Sequence, residues 1–519
     1  MKMAWALTLG VLLFSACAAG GDGGMQIDTG YENGHLVDYR IVEPDTIRVG
    51  PLNSNRHRWF SFRIKGVKGR RVRFIFEWDP HKDLPLVLRV NENDTAMVTY
   101  DGKGYEIVKD SAWRANEPGA TSGGYHHAFS HVFREDEALV AYAAPWSNAT
   151  LAELTRRLEG DRRVTAETIG RSRFAGLPLT GFHITDADAP DGDKRRILVL
   201  AREDAYEVGG SWAAEGMIRF LLSDDPVARE MLRRTVFTIF PLFSADGVAM
   251  GHTNFPLSAD GGEYVYLPVH WAEDPPYHEV ELMKALWRRL KAEGKTLDIL
   301  MRPHSTCYFQ PHFRPGCYSE ANAAEAERLF ATLLKRLPWR IKAGRSQTRS
   351  GTNYAFNQVF PDAISFSQHD DFVFPAHFLG TGQAAIRRHE DLLQDGELII
   401  RALAEHYGIE SRSYAPCLMA GDVDRNAVAR GETAAFRVYY YDMHGLPPER
   451  VELRVNGKSY PMRGPAEADY SRPVRFECEL PITDAVNDYG FAASNGRRER
   501  TVPEGYLLPG PFIVAEPAK

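Results

Sequence analysis

The chain has 519 residues, of which 44% are hydrophobic and 25% are charged, and its formal net charge is −7. A chain of this length is too long for a single hydrophobic core, and at about 150 residues per domain it predicts three domains. The composition is typical of a globular protein, and no basic patch points to nucleic acid as a partner.

The first 17 residues have the pattern of a secretion signal. Lys2 is followed by an apolar run at 4–14 and then by Ser-Ala-Cys, which is similar to a bacterial lipobox ending at Cys17. The run is shorter than the roughly 20 residues that a helix needs to cross a bilayer. We therefore expect lipidation of Cys17 and a membrane anchor in the bacterial cell envelope, facing the periplasm or the surface. Phe14 stands where Leu is usual in a lipobox, so secretion without lipidation is the alternative. Residues 18–30 are predicted to be a flexible tether.

The remaining cysteines do not indicate a disulfide framework. They are Cys307, Cys317, Cys417 and Cys478. Their small number and irregular spacing fit neither a disulfide scaffold nor a zinc site built from cysteines. One or two disulfides are compatible with an oxidising periplasm, but the sequence leaves their pairing open.

Residues 31–158 are predicted to form an N-terminal β-sandwich. Short β-branched and aromatic runs, such as 59–64 and 72–76, are separated by clusters of Gly, Asn, Asp and Pro. An apolar run at 140–146 then leads into a predicted helix over 151–158.

Residues 159–410 alternate β-runs with helical patterns, which predicts a layered α/β domain. The runs 196–201 and 236–240 are typical of strands that are covered on both faces. Between them, residues 212–222 carry apolar residues at helical spacing, and Ser-Asp-Asp-Pro at 223–226 ends that helix and begins the next.

Residues 411–519 are predicted to form a C-terminal immunoglobulin-like β-sandwich. Turns join β-runs at 433–441, 450–456, 474–480 and 489–494, and the Asn456-Gly457 pair is a strong hairpin signal. We expect such a terminal module to act as a spacer or packing partner.

Several segments of the first two regions together resemble one known family. They include Ile-Leu-Val-Leu-Ala-Arg-Glu-Asp-Ala-Tyr-Glu at 197–207, Phe-Leu-Leu-Ser-Asp-Asp-Pro-Val-Ala at 220–228 and Phe-Ser-Ala-Asp-Gly-Val at 243–248. These segments are similar to those of zinc metallocarboxypeptidases, in particular of the cytosolic branch, over roughly residues 40–405. The resemblance implies a central carboxypeptidase-like α/β domain with a mixed sheet, a zinc cofactor and hydrolysis of peptides.

The resemblance also identifies the positions that bind zinc in the family. Asp204 and Glu207 stand where the family has a His and a Glu, and Arg302, in Leu-Met-Arg-Pro-His-Ser, stands at the second ligand His. A carboxylate binds zinc, whereas a protonated guanidinium has no lone pair to offer. One hypothesis is therefore that Arg302 fills the metal's space through charge-assisted hydrogen bonds to Asp204 and Glu207, so that no metal is bound.

A second hypothesis retains a metal by shifting one ligand. His304 follows Arg302 by two residues and would lie on the same face of a strand. Asp204, Glu207 and His304 would then supply two carboxylates and one imidazole, a set that suits zinc, manganese or iron. This arrangement requires the turn to relax or the metal to move along the strand.

The general base of the family, a late Glu, is matched by His369 in Ser-Phe-Ser-Gln-His, with Asp370 and Asp371 beside it. Histidine acts as a general base near neutral pH, so His369 and Asp370 are the expected catalytic residues. An ordinary structural histidine is the alternative.

The cations that hold the substrate in the family are not found at their matching positions. Asn254 stands at one of them, and the later Asn-Arg pair is missing from 260–264. Arg302 and Asn254 are thus the expected substrate contacts, with Arg345 or Arg349 as further candidates. A free C-terminal carboxylate has no evident binding group.

These residues lead to two functional hypotheses. The first is a carboxypeptidase-like lipoprotein that acts on peptides or peptide-like amides through an altered metal site. The second is an inactive pseudopeptidase that binds a peptide or a glycan in the same cleft. A third option assigns the function to the flanking sandwiches, with the central domain as scaffold.

Overall fold

The protein is described by a computed structural model. It describes residues 24–52, 59–78, 96–115, 125–259, 262–305, 311–345, 349–370, 372–374, 379, 385–410 and 414–514. The predicted signal peptide and Cys17 lie outside these residues. Within them, no helix combines the length and the apolar character needed to span a bilayer.

Ten strands of the N-terminal region form two five-stranded sheets. The first has the order β1-β4-β10-β6-β7 and the second β2-β3-β5-β9-β8. Side chains of both sheets, such as Phe62 and Phe74, contribute to one buried apolar cluster. Packing of the two sheets as a sandwich stays a prediction. The strands are β1 (Gln26–Asp28), β2 (Tyr39–Glu43), β3 (Thr46–Leu52), β4 (Ser61–Lys65), β5 (Arg71–Trp78), β6 (Met97–Thr99), β7 (Glu106–Ile107), β8 (Asp110–Ala115), β9 (Tyr125–Val132) and β10 (Glu137–Ala141).

The central region contains the predicted mixed sheet, with eight strands in the order β11-β12-β14-β13-β17-β20-β18-β19. The strands β14, β13, β17 and β20 run parallel to one another, and β12 and β18 flank them antiparallel. The eight strands are β11 (Val164–Arg171), β12 (Pro178–Ile184), β13 (Arg195–Leu200), β14 (Thr235–Phe240), β17 (Ile299–His304), β18 (His312–Pro315), β19 (Ile341–Lys342) and β20 (Ile364–His369). Two short ladders add β15 (Phe255–Pro256) with β16 (Tyr264–Val265), and β21 (Val373–Phe374) with β22 (Ala385–Ile386).

Alternate residues of β13 explain why its sequence is a continuous apolar run. Ile197 and Val199 join one core cluster, whereas Leu198 and Leu200 join another on the opposite face. Both faces of β13 are therefore buried, as the sequence predicts.

Helices cover the sheet. The helix predicted over 151–158 is confirmed and begins at Asn148, where Ser147 caps it by accepting a hydrogen bond from the Thr150 amide. The helices are α1 (Asn148–Leu158), α2 (Val208–Leu221), α3 (Pro226–Arg234), α4 (Ala245–Ala249), α5 (His278–Ala292), α6 (Ala323–Arg336), α7 (Thr352–Val359) and α8 (His389–His406), with short 3₁₀ turns at Leu267–Val269 and Glu320–Asn322.

The C-terminal region adds ten strands. One sheet has the order β23-β25-β28, another contains β27-β26-β29-β30 with β31 paired to β29, and β24 pairs with β32. The hairpin signal is confirmed, since β26 and β27 are joined at Asn456-Gly457, both with positive φ. The immunoglobulin-like topology stays a prediction. The strands are β23 (Cys417–Val423), β24 (Ala427–Val428), β25 (Thr433–Tyr441), β26 (Arg450–Val455), β27 (Lys458–Pro461), β28 (Val474–Pro481), β29 (Asp488–Ser494), β30 (Glu499–Val502), β31 (Leu508–Pro509) and β32 (Phe512–Ile513).

Candidate metal and active site

The candidate site lies at the carboxyl ends of two parallel neighbours, β13 and β17. Asp204 and Glu207 belong to the turn that joins β13 to α2, and His304 is the last residue of β17. Val199 is in register with Met301, so both strands end at the same edge of the sheet. Carboxyl edges of this kind commonly carry ligand sites in α/β sheets.

Arg202 shapes the turn that carries the two acids. It is fully buried and has a positive φ of 62°, a conformation that non-glycine residues rarely adopt outside functional sites. Its Nε atom donates to the Ala205 carbonyl at 2.6 Å, and Nη1 lies 3.3 Å from Ser211 Oγ in α2. The turn is thus fixed from inside.

Asp204, Glu207 and His304 form the candidate metal centre. One ligand atom from each residue lies within 4.8 Å of the other two, and all three side chains are buried. Within the described chain Glu207 Oε1 makes no hydrogen bond, and no donor reaches either Asp204 oxygen in full hydrogen-bond geometry, the Leu267 amide being the backbone donor nearby. Buried carboxylate oxygens are costly unless a cation or donor satisfies them, and an O,O,N donor set suits a divalent metal. These residues fit the zinc implied by the resemblance.

The charges of the site support this fit. Burial raises the pKa of the Asp204 carboxyl well above its usual range, and Glu207 raises it further. Burial lowers the pKa of His304, but Glu207 and Glu203 outweigh burial and raise it to about 9. His304 Nδ1 is hydrogen-bonded to Glu207 Oε2. Ionisation of Asp204 beside Glu207 is therefore unfavourable unless a further cation joins the two carboxylates.

Arg302 does not form the ion pair that we expected with Asp204 and Glu207. Its Nε and Nη2 atoms each lie 2.6 Å from Glu203 Oε2, while Thr352 Oγ1 donates to Glu203 Oε1 at 2.6 Å. Burial raises the pKa of Glu203, but Arg302, His304 and Thr352 together lower it to about 2. The physical reason for the difference is that Glu203 supplies a nearer carboxylate, which neutralises the guanidinium outside the Asp204–Glu207 space.

His369 lies next to the metal centre in a stack of three buried histidines. His304, His369 and His312 are cross-strand neighbours on β17, β20 and β18. Ring centroids are 5.3 Å apart for His304–His369 and 4.2 Å apart for His312–His369. Burial, then His312 and His304, lower the pKa of His369 well below its usual range, so the ring is neutral. Its Nε2 lies 3.3 Å from Ser367 Oγ, and Nδ1 has no hydrogen-bond partner in the described structure.

Asp370 belongs to a buried network of ion pairs. Its carboxylate pairs with Arg340 and accepts a hydrogen bond from Gln368 Nε2 at 2.6 Å. Arg340 also pairs with Asp395 of α8 at 2.5 Å, and all three charged side chains are buried. These contacts stabilise the region beside His369, and a catalytic role of Asp370 stays a prediction. Asp371 lies outside the described residues.

The three residues expected to contact the substrate, Asn254, Arg345 and Arg302, have different surroundings. Asn254 is buried and follows Thr253. The Thr253 carbonyl accepts a hydrogen bond from the Tyr206 amide, in the turn between β13 and α2. Arg345 is engaged elsewhere, because it donates to the carbonyls of Gly316 and Tyr318. Arg302 is held by Glu203, with a side chain only 6% exposed.

Sequence reasoning missed three residues around the site. Glu203 and His312 have no counterpart in the quoted motifs, although an acid directly before Asp204 was a visible signal. Tyr266 is 42% exposed as a residue. Burial of its hydroxyl raises the pKa of that group, and the charges of Glu207 and Asp204 raise it further. Among the described cysteines Cys317, Cys417 and Cys478 are free thiols, while Cys307 lies outside the described residues.

Comparisons with known proteins agree with this architecture. The zinc carboxypeptidase family model matches residues 151–294. Human cytosolic carboxypeptidase 4 is 25% identical over 321 residues, which cover 55% of this chain but only 28% of that protein. Mouse cytosolic carboxypeptidase 6 is 23% identical over 423 residues, covering 75% of this chain and 74% of that protein.

Solved structures share the fold. A metallo-carboxypeptidase from Burkholderia cenocepacia superposes with a TM-score of 0.61 at 19% identity, covering 74% of this chain and 99% of that one. One from Pseudomonas aeruginosa superposes with a TM-score of 0.58 at 18% identity, with the same coverage of both chains. At these identities the likeness concerns the fold alone.

Proposed function

We propose that the protein is a metal-dependent hydrolase of peptides or peptide-like amides, because its central region matches the zinc carboxypeptidase family model over residues 151–294. The observation that carries the proposal is a set of three buried carboxylate oxygens beside His304, namely both oxygens of Asp204 and Oε1 of Glu207, whose hydrogen-bonding capacity the described residues leave unsatisfied. A zinc or other divalent ion held by these residues would polarise a carbonyl and lower the pKa of bound water.

His369 is the proposed general base. With its proton on Nε2, shared with Ser367 Oγ, the free Nδ1 atom is the acceptor for a proton from water. The lowered pKa keeps the ring neutral near pH 7, which leaves the lone pair of one ring nitrogen unprotonated. Burial against His304 and His312 fixes its orientation.

Arg302 and Asn254 remain the proposed ligand contacts. Glu203 already holds the Arg302 guanidinium in one position. The Arg302 side chain therefore loses little conformational entropy when a ligand binds to it. The lipid anchor at Cys17 and a place in the cell envelope are likewise proposals that rest on the sequence pattern alone.

The test is cleavage of blocked peptides, followed by mass spectrometry, by the purified chain supplied with zinc or manganese. We expect metal-dependent cleavage that falls about 10²–10⁴-fold in His369→Gln and is lost in Asp204→Ala. His406→Gln, on α8 and far along the chain from the site, is the matched control and keeps full activity. Cleavage that survives Asp204→Ala, or none in metal-loaded parent, overturns the proposal.

A second candidate function has one observation in its favour. The hydrogen bond between His304 and Glu207 already pairs two of the three proposed ligands with each other. If this hydrogen bond takes the place of a metal ion, the protein binds a peptide or a glycan without hydrolysing it. Metal content separates the two candidates, because only the hydrolase takes up metal through Asp204 and Glu207.

A further inference from the structure

A cavity lies between the amino ends of β13 and β14 and the last turns of α5. Its volume is about 410 Å³, within the range of roughly 300–1,000 Å³ that is usual for pockets that hold small molecules. Arg196, near the amino end of β13, lines this cavity, whereas Asp204 and Glu207 follow the carboxyl end of the same strand. The cavity and the candidate metal centre are therefore at opposite edges of the sheet.

The sheet face under α5 changes from apolar to polar at this cavity. In β13, Leu198 belongs to the apolar cluster beneath α5, and Arg196, two residues earlier, faces the same side. In β14, Thr238 likewise precedes Phe240 of that cluster by two residues. Lys194, two residues before Arg196, lines the cavity as well. The apolar packing between the sheet and α5 thus ends at a cavity with polar walls.

Lys194 is a buried cation in the cavity wall and is only 7% exposed. Its Nζ atom donates to Thr185 Oγ1 at 2.9 Å and to the Asp186 carbonyl at 2.5 Å, which are both neutral groups. An ammonium group has three N–H donors, so one donor is left over. Among the described residues no carboxylate lies within ion-pair distance of Nζ. Because burying a charge without a counter-ion is unfavourable, an anion in the cavity would stabilise Lys194.

Arg196 supplies a second cation to the same wall. Its side chain is 13% exposed, and its Nη2 atom lies 2.6 Å from Oδ2 of Asp191, whose side chain is 58% exposed. An ion pair with such an exposed partner contributes little. Across the described part of the chain the Arg196 guanidinium donates through Nη2 alone. Its Nε and Nη1 donors are therefore available to a ligand.

The other charged groups of the cavity pair with one another. Arg289 forms an ion pair with Glu167, and Lys295 forms one with Glu293 at 2.8 Å. With His183 neutral, the lining residues include four cations and three acids. The cavity therefore has an excess of one positive charge, which favours an anionic ligand.

We propose that this cavity binds a small phosphate monoester of a sugar or polyol, whose phosphate is held by Lys194 and Arg196. Guanidinium and ammonium groups both bind phosphate through charge-assisted hydrogen bonds. A phosphate group fills only part of about 410 Å³, so the ligand carries a further body. Glu167, Glu293 and Thr165 line the rest of the cavity and can accept hydrogen bonds from the hydroxyl groups of that body. This site goes beyond the proposed hydrolysis and does not depend on it.

The experiment is isothermal titration calorimetry of the purified chain with glucose 6-phosphate and glycerol 3-phosphate. A chelator is present, so that no phosphate binds to a metal at the candidate metal centre. Glucose and glucuronate are the comparison ligands, since the first lacks an anionic group and the second carries a carboxylate. We expect at least one of the two esters to bind once per chain, about tenfold more tightly than either comparison ligand. No binding of either ester, or equal binding of glucuronate, overturns the inference.

Variants locate the binding site. Lys194→Gln and Arg196→Gln are each expected to weaken binding of the ester about tenfold, and Arg196→Gln serves alone if the buried lysine is needed for folding. Arg195→Gln is the matched control, because Arg195 lies between the two cations but faces the other side of β13, where it pairs with Asp298. Its affinity should stay within about twofold of the parent.

Asp204→Ala separates this cavity from the candidate metal centre, and we expect it to bind the ester as the parent does. Parent-like affinity in Arg196→Gln overturns the inference. So does an equal loss of affinity in Arg195→Gln, or loss of binding in Asp204→Ala that is still folded by circular dichroism. Peptide cleavage in the assay above reports separately on the proposed function.

Discussion

At the scale of single residues, the account depends on which carboxylate neutralises which cation. Glu203, Asp204 and Glu207 are three buried acids within one turn, and among the described residues only Glu203 forms an ion pair with an arginine, Arg302. The acid that is satisfied has its pKa lowered, while Asp204 has its pKa raised. The opposite pKa shifts distinguish the ion pair of Glu203 with Arg302 from the candidate metal ligands Asp204 and Glu207.

The Arg302–Glu203 pair predicts a pH-dependent loss of stability in Arg302→Met. Removing one partner leaves a buried charge, which lowers the free energy of unfolding by about 3–5 kcal/mol at pH 7. Glu203 has a folded-state pKa of about 2, below its value in the unfolded chain. The pair's contribution is therefore present above about pH 4.5 and lost as the pH falls towards 2.

Urea unfolding of the parent and Arg302→Met at pH 7 and at successively lower pH measures this effect. The two proteins should converge in acid. Arg195→Met is the control, because its pair with Asp298 is half-exposed and should contribute at most about 1 kcal/mol. A loss in Arg302→Met no larger than that of the control, or one independent of pH, would count against the pair.

The sequence predicted part of this site for a physical reason. Asp204 and Glu207 are close because one turn carries both, and His304 reaches them because residues two apart share a strand face. The partner of Arg302 was not predictable, since it depends on the direction in which each turn side chain points. Local motifs carry no information on that direction.

At the scale of elements, strand order decides the composition of the site. The predicted strands over 196–201 and 236–240 are confirmed as β13 and β14, because buried parallel strands have a recognisable apolar pattern. The position of β18 beside β20 was not predictable, since the pairing joins residues more than 50 positions apart. His312 lies beside His369 because of that pairing.

Helix α2, which follows the metal turn, packs closely on α8 through glycines. A Cβ atom added at Gly216 would lie 2.1 Å from the Leu393 carbonyl oxygen, and one at Gly396 would lie 2.2 Å from that of Ala213. Real Cβ contacts are never this short, so the backbones approach in a way that only glycine allows. The close packing of α2 on α8 therefore depends on these two glycines.

Gly216→Ala is therefore expected to destabilise the protein by about 1–3 kcal/mol through overpacking, a cost larger than the gain in helix propensity of about 1 kcal/mol. Thermal unfolding measures the change. Gly192→Ala is the control, because an added Cβ there meets nothing within 4 Å and should leave the midpoint unchanged. An equally stable Gly216→Ala would show that the two helices separate without cost.

At the scale of the whole molecule, the three regions meet at Arg388, the residue before α8. Its buried side chain donates to the Gly421 carbonyl at 3.0 Å and to Asp422 Oδ1 at 2.9 Å in the C-terminal region, and to the Tyr105 carbonyl in the N-terminal region. One guanidinium thus links all three. The β patterns of the flanking regions were readable from the sequence, but these contacts between regions were not, because each partner is an ordinary polar group.

Arg388→Met is expected to uncouple the flanking regions from the central one. It removes the shared donor and leaves the Gly421 and Tyr105 carbonyls without their partner. Differential scanning calorimetry should show a single transition of the parent that broadens or splits in the variant. Arg454→Met, half-exposed on β26, is the control and should unfold as the parent does. An unchanged transition in Arg388→Met would show that other contacts suffice.

The central claim is that Asp204, Glu207 and His304 hold a divalent metal. The most direct measurement is metal content by plasma mass spectrometry on the purified chain, after exposure to zinc or manganese and removal of unbound ions. We expect about one metal per chain in the parent, none in Asp204→Ala/Glu207→Ala, and an unchanged content in Glu153→Ala/Glu293→Ala, which removes two exposed acids. A parent without metal, or a double variant that binds as much as the parent, would contradict the claim.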